Sequence, residues 1–119
     1  MTNYNRGDIV LVRFPMPDLK KYKPRPALII QNDTNNEKLA NTILLQITSN
    51  LSNKDLSTQY YIDIDSDEGK ASGLLTNSVV KAEVIFTLPQ KSIYKKIGSL
   101  SDNAMKEIDR CMKYSLSLE

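Results

Sequence analysis

The sequence predicts a mainly β fold closed by one C-terminal helix, a small half-open barrel whose short strands are joined by long polar loops. Three observations carry that prediction. Short runs rich in β-branched and apolar residues recur along the chain, each bounded by Gly, Pro, Asn, Asp or Ser. One of them, "QYYIDID" (Gln59 to Asp65), alternates strictly, as a half-buried strand does. After Ser101 the apolar period changes to three- and four-residue steps, the mark of an amphipathic helix. The chain has 119 residues, 40% hydrophobic and 25% charged, which suits one domain spanning 1–119 with a modest core.

The first strand is "GDIVLVRFP" (Gly7 to Pro15), opened by a Gly-Asp turn and stopped by proline. "MPDLKKYKP" follows as a polar, proline-bounded loop. "RPALIIQND" (Arg25 to Asp33) is a second, buried strand that runs into the turn signal "NDTNN". "TILLQITSN" (Thr42 to Asn50) is a third, followed by the loop "LSNKDLS". Tyr60, Ile62 and Ile64 share one face of the fourth, and "SDEGKASG" reads as a turn. "GLLTNSVVKAEVIFTLP" predicts two short strands parted near Lys81, and "YKKIGSL" a final edge strand. In the helix, Met105, Ile108, Met112 and Leu116 form the apolar stripe. Ser101 is placed to cap it, Asp102 favours its first turn, Leu100 is placed to staple onto Met105, and Lys113 suits its C-terminal end.

Charge is nearly balanced: 16 basic and 14 acidic residues give +2, so no global polycation is available for nucleic acid. Its distribution is uneven. Arg13, Lys20, Lys21, Lys23 and Arg25 lie together with only Asp18 among them, whereas the stretch from Asp33 to Glu68 is acidic. That layout suits a local anion site or two differently solvated faces. The chain has no His, which removes imidazole acid–base chemistry and His-ligated metals. Its lone Cys111 allows no internal disulfide and fits a reducing compartment. No apolar run reaches membrane-spanning length, and "MTNYNRGD" lacks a leader's apolar centre, so the expectation is a cytoplasmic protein without membrane contact.

One stretch asks for a specific explanation. In "YKPRPALIIQND", Arg25 is held between Pro24 and Pro26 at the start of a buried strand. Proline fixes the local backbone and removes donors, so the guanidinium is either an ordinary loop charge or a group that must sit in a set place.

Taken in order, "RGDIVLVRFP", "KPRPALIIQND", "LLQITSN", "SGLLTNSVV" and "LPQKSIYKKIGSLSD" resemble the MazF/PemK toxins of bacterial type II toxin–antitoxin systems across essentially the whole chain. The resemblance implies the SH3-like barrel shared with the CcdB gyrase poisons. It implies a metal-independent, cofactor-free and sequence-selective endoribonuclease, or mRNA interferase, acting on single-stranded mRNA. It also implies a homodimer silenced by a cognate antitoxin. In that family the Arg of the Arg-Pro pair and the Thr closing the third strand are catalytic, which here are Arg25 and Thr48.

RNA cleavage without metal uses the adjacent 2′-hydroxyl and leaves a 2′,3′-cyclic phosphate and a 5′-hydroxyl. Such a reaction needs charge stabilisation at phosphorus, for which a planar guanidinium is suited, and a hydrogen bond to the phosphate, which a hydroxyl supplies. By residue type alone, Arg25 is otherwise a solvated charge and Thr48 a strand-end cap. The loop ahead of Arg25 offers Lys20, Lys21 and Lys23 for phosphates and Tyr22 for stacking on a base, or is a solvated loop. Ser49 and Asn50 contact bases or form a turn. Asn77 and Ser78 bind substrate or pack, and Gly7-Asp8 is a turn. Two departures matter: the first loop has no His, and "TNS" (Thr76 to Ser78) stands where relatives carry a carboxylate. Glu83 and Asp63 are proton acceptors only by residue type. Two rival readings remain, a CcdB-like gyrase poison and a family member that no longer cuts. The first works through a C-terminal Trp, and this chain ends "KYSLSLE".

Overall fold

The computed structural model describes residues 4–13 and 23–119, so Lys20, Lys21 and Tyr22 lie outside the described residues. Among the described residues, six strands form one antiparallel sheet in the order β4-β5-β3-β2-β1-β6. They are β1 (Asp8–Arg13), β2 (Pro24–Ile29), β3 (Asn41–Thr48), β4 (Gln59–Ile62), β5 (Ser78–Pro89) and β6 (Ile93–Ser99). Among the described residues, nothing pairs with the outer sides of β4 and β6, so the curved sheet is a loose, unclosed barrel. β6 is the edge strand that "YKKIGSL" announced, and its exposed Lys95 and Lys96 discourage edge-to-edge pairing.

Cross-strand neighbours sort the apolar residues onto two faces. Ile9, Leu28 and Leu45 align across β1, β2 and β3 and join Ile47, Ile62, Val80 and the C-terminal helix in the larger core. Val10, Ala27, Ile29 and Leu44 form the other, with Phe86 and Leu88 against it. The helix α3 (Asp102–Leu116) is capped by Ser101, whose hydroxyl accepts from the Ala104 amide. It buries Ala104, Met105, Ile108 and Cys111, with Leu100 in the same cluster. The stripe therefore runs through Cys111 rather than on to Leu116, which is exposed beyond the sheet's reach.

Three departures from the sequence reading have local causes. "NDTNN" is not only a turn: α1 (Asp33–Lys38) starts there, capped by the Asn32 side chain, which accepts from the Asn35 amide. Its weakly helical residues are held by tertiary bonds. Buried Asn36 accepts from Gln31 and Thr42 and donates to the Gln31 carbonyl, and Gln90 donates to the Asn36 and Leu39 carbonyls. "SDEGKASG" likewise holds α2 (Asp67–Ser72), capped by Ser66 and ended by Gly73 at φ 74°, a left-handed position suited to glycine. Both helices have six residues, too short for a periodic stripe to show. Lastly, the segment after Gly73 holds one long strand. Gln46 faces Lys81 while Leu45 faces Ile85, so the expected break near Lys81 is a bulge inside β5.

Candidate functional site

β2 begins with Pro24, Arg25 and Pro26, and its Arg25 pairs in register with Val12 of β1. On the other side, β2 meets β3 with Ala27 opposite Gln46 and Leu28 opposite Leu45. Continuing that register by two residues sets Arg25 opposite Thr48, the last residue of β3. Two residues 23 positions apart in the chain thus stand at the same end of the sheet, beyond the last β2–β3 pair, Ala27 and Gln46.

Both line a groove of about 810 Å³. Leu11, Pro26, Ile47 and Ile97 provide apolar wall from four strands, and Leu74 and Leu75 come from the segment between α2 and β5. Leu75 is 89% exposed, an unusual state for a leucine and one that leaves an apolar surface at the groove. Lys23, Arg25 and Lys95 supply positive charge, and no carboxylate is among the described lining residues. No described residue forms an ion pair with Arg25, whose side chain is open to solvent. The groove is thus a cationic slot with an apolar floor, a combination that fits a phosphate backbone carrying flat bases.

Thr48 is held in a particular way. Its hydroxyl oxygen accepts from the Asn50 amide at 3.1 Å, and the Asn50 side chain in turn accepts from the Ser52 amide at 3.1 Å. With one lone pair engaged by a backbone N–H, the Thr48 proton is left to be donated outward. Asn50 itself does not line the groove and shapes the turn that orients Thr48. Ser49 lines the groove and is exposed. Ser78 lines it too, but is buried and donates its hydroxyl proton to the Thr76 carbonyl at 2.8 Å. Asn77 faces away from this role: its side-chain oxygen accepts from the Ile64 amide at 2.9 Å and ties the α2–β5 segment to the end of β4. Lys23 is exposed at the groove.

The carboxylates considered by residue type are engaged elsewhere. Glu83 accepts from the Gln59 amide at 2.6 Å, and Asp63 accepts from the Asp65 amide at 2.9 Å. Neither lines the groove. Among the described residues, no three His, Cys, Asp or Glu side chains converge to hold a metal ion. Among them too, no helix is long and apolar enough to cross a membrane. Gln46, Lys95, Leu74, Leu75 and Ile97 were missed from sequence. Gln46 did carry a signal, since it interrupts the apolar run of "TILLQIT".

Arg25 and Thr48 lining one groove, on a six-stranded sheet backed by α3, invite comparison with known proteins. A family profile described as PemK-like, MazF-like toxin of type II toxin–antitoxin systems matches residues 5–116. The chain belongs to this family. Within it, Endoribonuclease MazF of Staphylococcus saprophyticus is 32% identical over 114 residues, covering 95% of this chain and 91% of that protein. The PemK/MazF fold is evident in solved structures as well. One is a mycobacterial endoribonuclease in complex with its cognate antitoxin, at a TM-score of 0.77 and 20% identity, with 98% of each chain covered. Another is a MazE–MazF complex from Deinococcus radiodurans, at 0.74 and 16%, again with 98% of each chain covered. At those identities the likeness concerns the fold, the loose barrel and its C-terminal helix.

Proposed function

We propose that this PemK/MazF-family chain is an endoribonuclease toxin that cuts single-stranded mRNA in the groove between β2, β3 and the α2–β5 segment. The observation that carries this reading is an Arg25 guanidinium that no described residue pairs with, lining the same slot as Thr48, Lys23 and Lys95, where no described carboxylate is found. The Staphylococcus relative bearing the name endoribonuclease supports it.

In this reading the scissile phosphate sits between Arg25 and Thr48. The 2′-oxygen attacks phosphorus as its proton leaves, the bond to the 5′-oxygen breaks, and that oxygen takes up a proton. The products are a 2′,3′-cyclic phosphate and a 5′-hydroxyl end. Arg25 stabilises the charge that grows on the phosphorane oxygens, as a preformed donor held in place by its backbone. A guanidinium is a weak acid, so its main role is electrostatic. Thr48 donates to a phosphate oxygen through the proton its Asn50 contact leaves free. Lys23 and Lys95 hold the flanking phosphates, together with Lys20 and Lys21; Tyr22 stacks on a base and Ser49 contacts one.

The reading extends to assembly. The protein acts as a homodimer and is silenced by a cognate antitoxin; the antitoxin complexes among its structural relatives support the second point. It works in the cytoplasm, where the free thiol of Cys111 stays reduced.

Incubating the purified protein with a defined single-stranded RNA in EDTA tests the proposal. Cleavage leaving cyclic-phosphate and 5′-hydroxyl ends is the expected result. Intact RNA together with trapped gyrase–DNA complexes would replace the nuclease with a CcdB-like poison, and intact RNA alone would mark a member that has lost activity.

A further inference from the structure

Gln46 is a groove residue that neither the cleavage chemistry nor the packing of the sheet explains. It sits in β3 between Ala27 of β2 and Lys81 of β5, half-buried, and is among the residues that line the groove. An apolar residue would extend the run "TILLQIT" at lower cost, because a partly buried amide without a partner is unfavourable. Comparable amides nearby are committed to the protein. Asn50 accepts from the Ser52 amide, Asn77 accepts from the Ile64 amide, and Gln59 donates to Glu83. No described residue hydrogen-bonds the Gln46 side chain. It lies two positions before Thr48 on the same face of β3, about 7 Å along the strand. A base attached to a phosphate held by Thr48 reaches that far.

We propose that Gln46 is a specificity-determining residue that reads the edge of one RNA base next to the scissile phosphate. The inference rests on the nuclease reading above. A primary amide presents a donor and an acceptor side by side, which pairs in two-point contact with a base edge offering an acceptor beside a donor. Four other described polar side chains on the groove serve this purpose less well. Lys23, Arg25 and Lys95 only donate and favour phosphate, while the Ser78 hydroxyl is spent on a backbone carbonyl. Exchanging the amide for a carboxylate replaces donor-plus-acceptor with two acceptors. Two acceptors complement the adjacent N1–H and N2–H donors of guanine.

The test compares the parent protein with Gln46→Leu and Gln46→Glu on a randomised single-stranded RNA pool, sequencing the new 5′ ends and recording each variant's melting temperature. The parent should cut at a defined word. Gln46→Leu should keep the other positions of that word and lose discrimination at one, by about tenfold or more. Gln46→Glu should shift preference at that same position toward guanine. An identical word for all three proteins overturns the inference and leaves the nuclease reading standing. Loss of all cleavage in both folded variants, or failure of both to fold, overturns it as well, because Gln46 would then serve chemistry or structure. A parent that cuts nothing overturns the nuclease reading and this inference together.

Discussion

Arg6 and Arg25 flank the same pair of strands, and the molecule treats them in opposite ways. Arg6, just ahead of β1, is bound on three sides. Its backbone amide donates to Asp33 at 2.7 Å, its Nε donates to the Ile30 carbonyl at 3.1 Å, and its guanidinium pairs with Asp109 of α3. It thereby joins the N-terminal segment, α1 and the C-terminal helix. Arg25 is fixed by its backbone instead, between two prolines and inside the β1–β2 ladder, and no described carboxylate pairs with its guanidinium. An arginine that serves the fold has its donors satisfied by the fold. An arginine that serves a substrate has its position satisfied and its donors left over.

The comparison breaks most visibly at Arg25. Replacing it with alanine should lower RNA cleavage by about 100- to 1,000-fold, the usual cost of deleting one charge-stabilising donor. The melting temperature should stay within the scatter of the parent, because no bond in the described structure is lost. Thr48→Val should follow with a smaller loss of rate. Cleavage by Arg25→Ala at the parental rate, at equal folded fraction, would remove Arg25 from the site.

A second effect separates the wall of the groove from its chemistry. Gly98 of β6 lies against α2 so closely that an added Cβ would overlap the carbonyl of Ser72. Gly98→Ala should therefore cost about 2–3 kcal/mol in a urea titration, the range for overpacking against backbone. Because α2 leads into Leu74 and Leu75, substrate binding should weaken along with stability.

Arg6→Ala should show the converse of Arg25→Ala. The ion pair with Asp109 is partly exposed, at 30% and 46% for the two side chains, so its own contribution is small. Adding the bond to the Ile30 carbonyl, the loss should be about 1–2 kcal/mol, read as a lower urea midpoint with unchanged cleavage per folded molecule.

The smallest expected effect is a dependence on alkaline pH. Burial first, then Glu107, pushes the Cys111 thiol above its ordinary 9.0. Burial, Glu68 and Glu107 likewise raise Tyr60 above 10.0. Both groups ionise more readily in the unfolded chain. Their contribution to stability is therefore fully present below the ordinary values and is lost as pH rises through the folded ones. Urea midpoints should fall above about pH 9, and Cys111→Ala should flatten part of that slope. An unchanged slope would place the titration elsewhere.

The strands were legible because their apolar runs are long and sharply punctuated. "DIVLVR" and "TILLQIT" became β1 and β3 with little revision, and the Ser101 cap marked the start of α3. The short helices were illegible because their stability is not local. Asn36 belongs to α1 through bonds to Gln31, Thr42 and Gln90, which are close only after folding. Leu116 looked like core because periodicity does not say where a supporting sheet ends. At the site, Arg25 and Thr48 stood out by their prolines and strand ends. Asn50 and Asn77, by contrast, hold turns together, a use of an amide that residue type alone does not separate from base contact.

What the sequence determined by itself was the kind of protein and the chemistry open to it. Its alternation and punctuation dictate a curved antiparallel sheet, and its lack of His leaves a guanidinium as the natural partner for a phosphate. Only the tertiary structure decided which residues meet. The pairing of β2 with β3 brings Arg25 and Thr48 to one groove, the α2–β5 segment brings Leu75 to it, and the β1–β6 ladder brings Lys95. Strand register is a long-range property, set by how two faces bury their apolar residues at once, and a single run of sequence does not contain it.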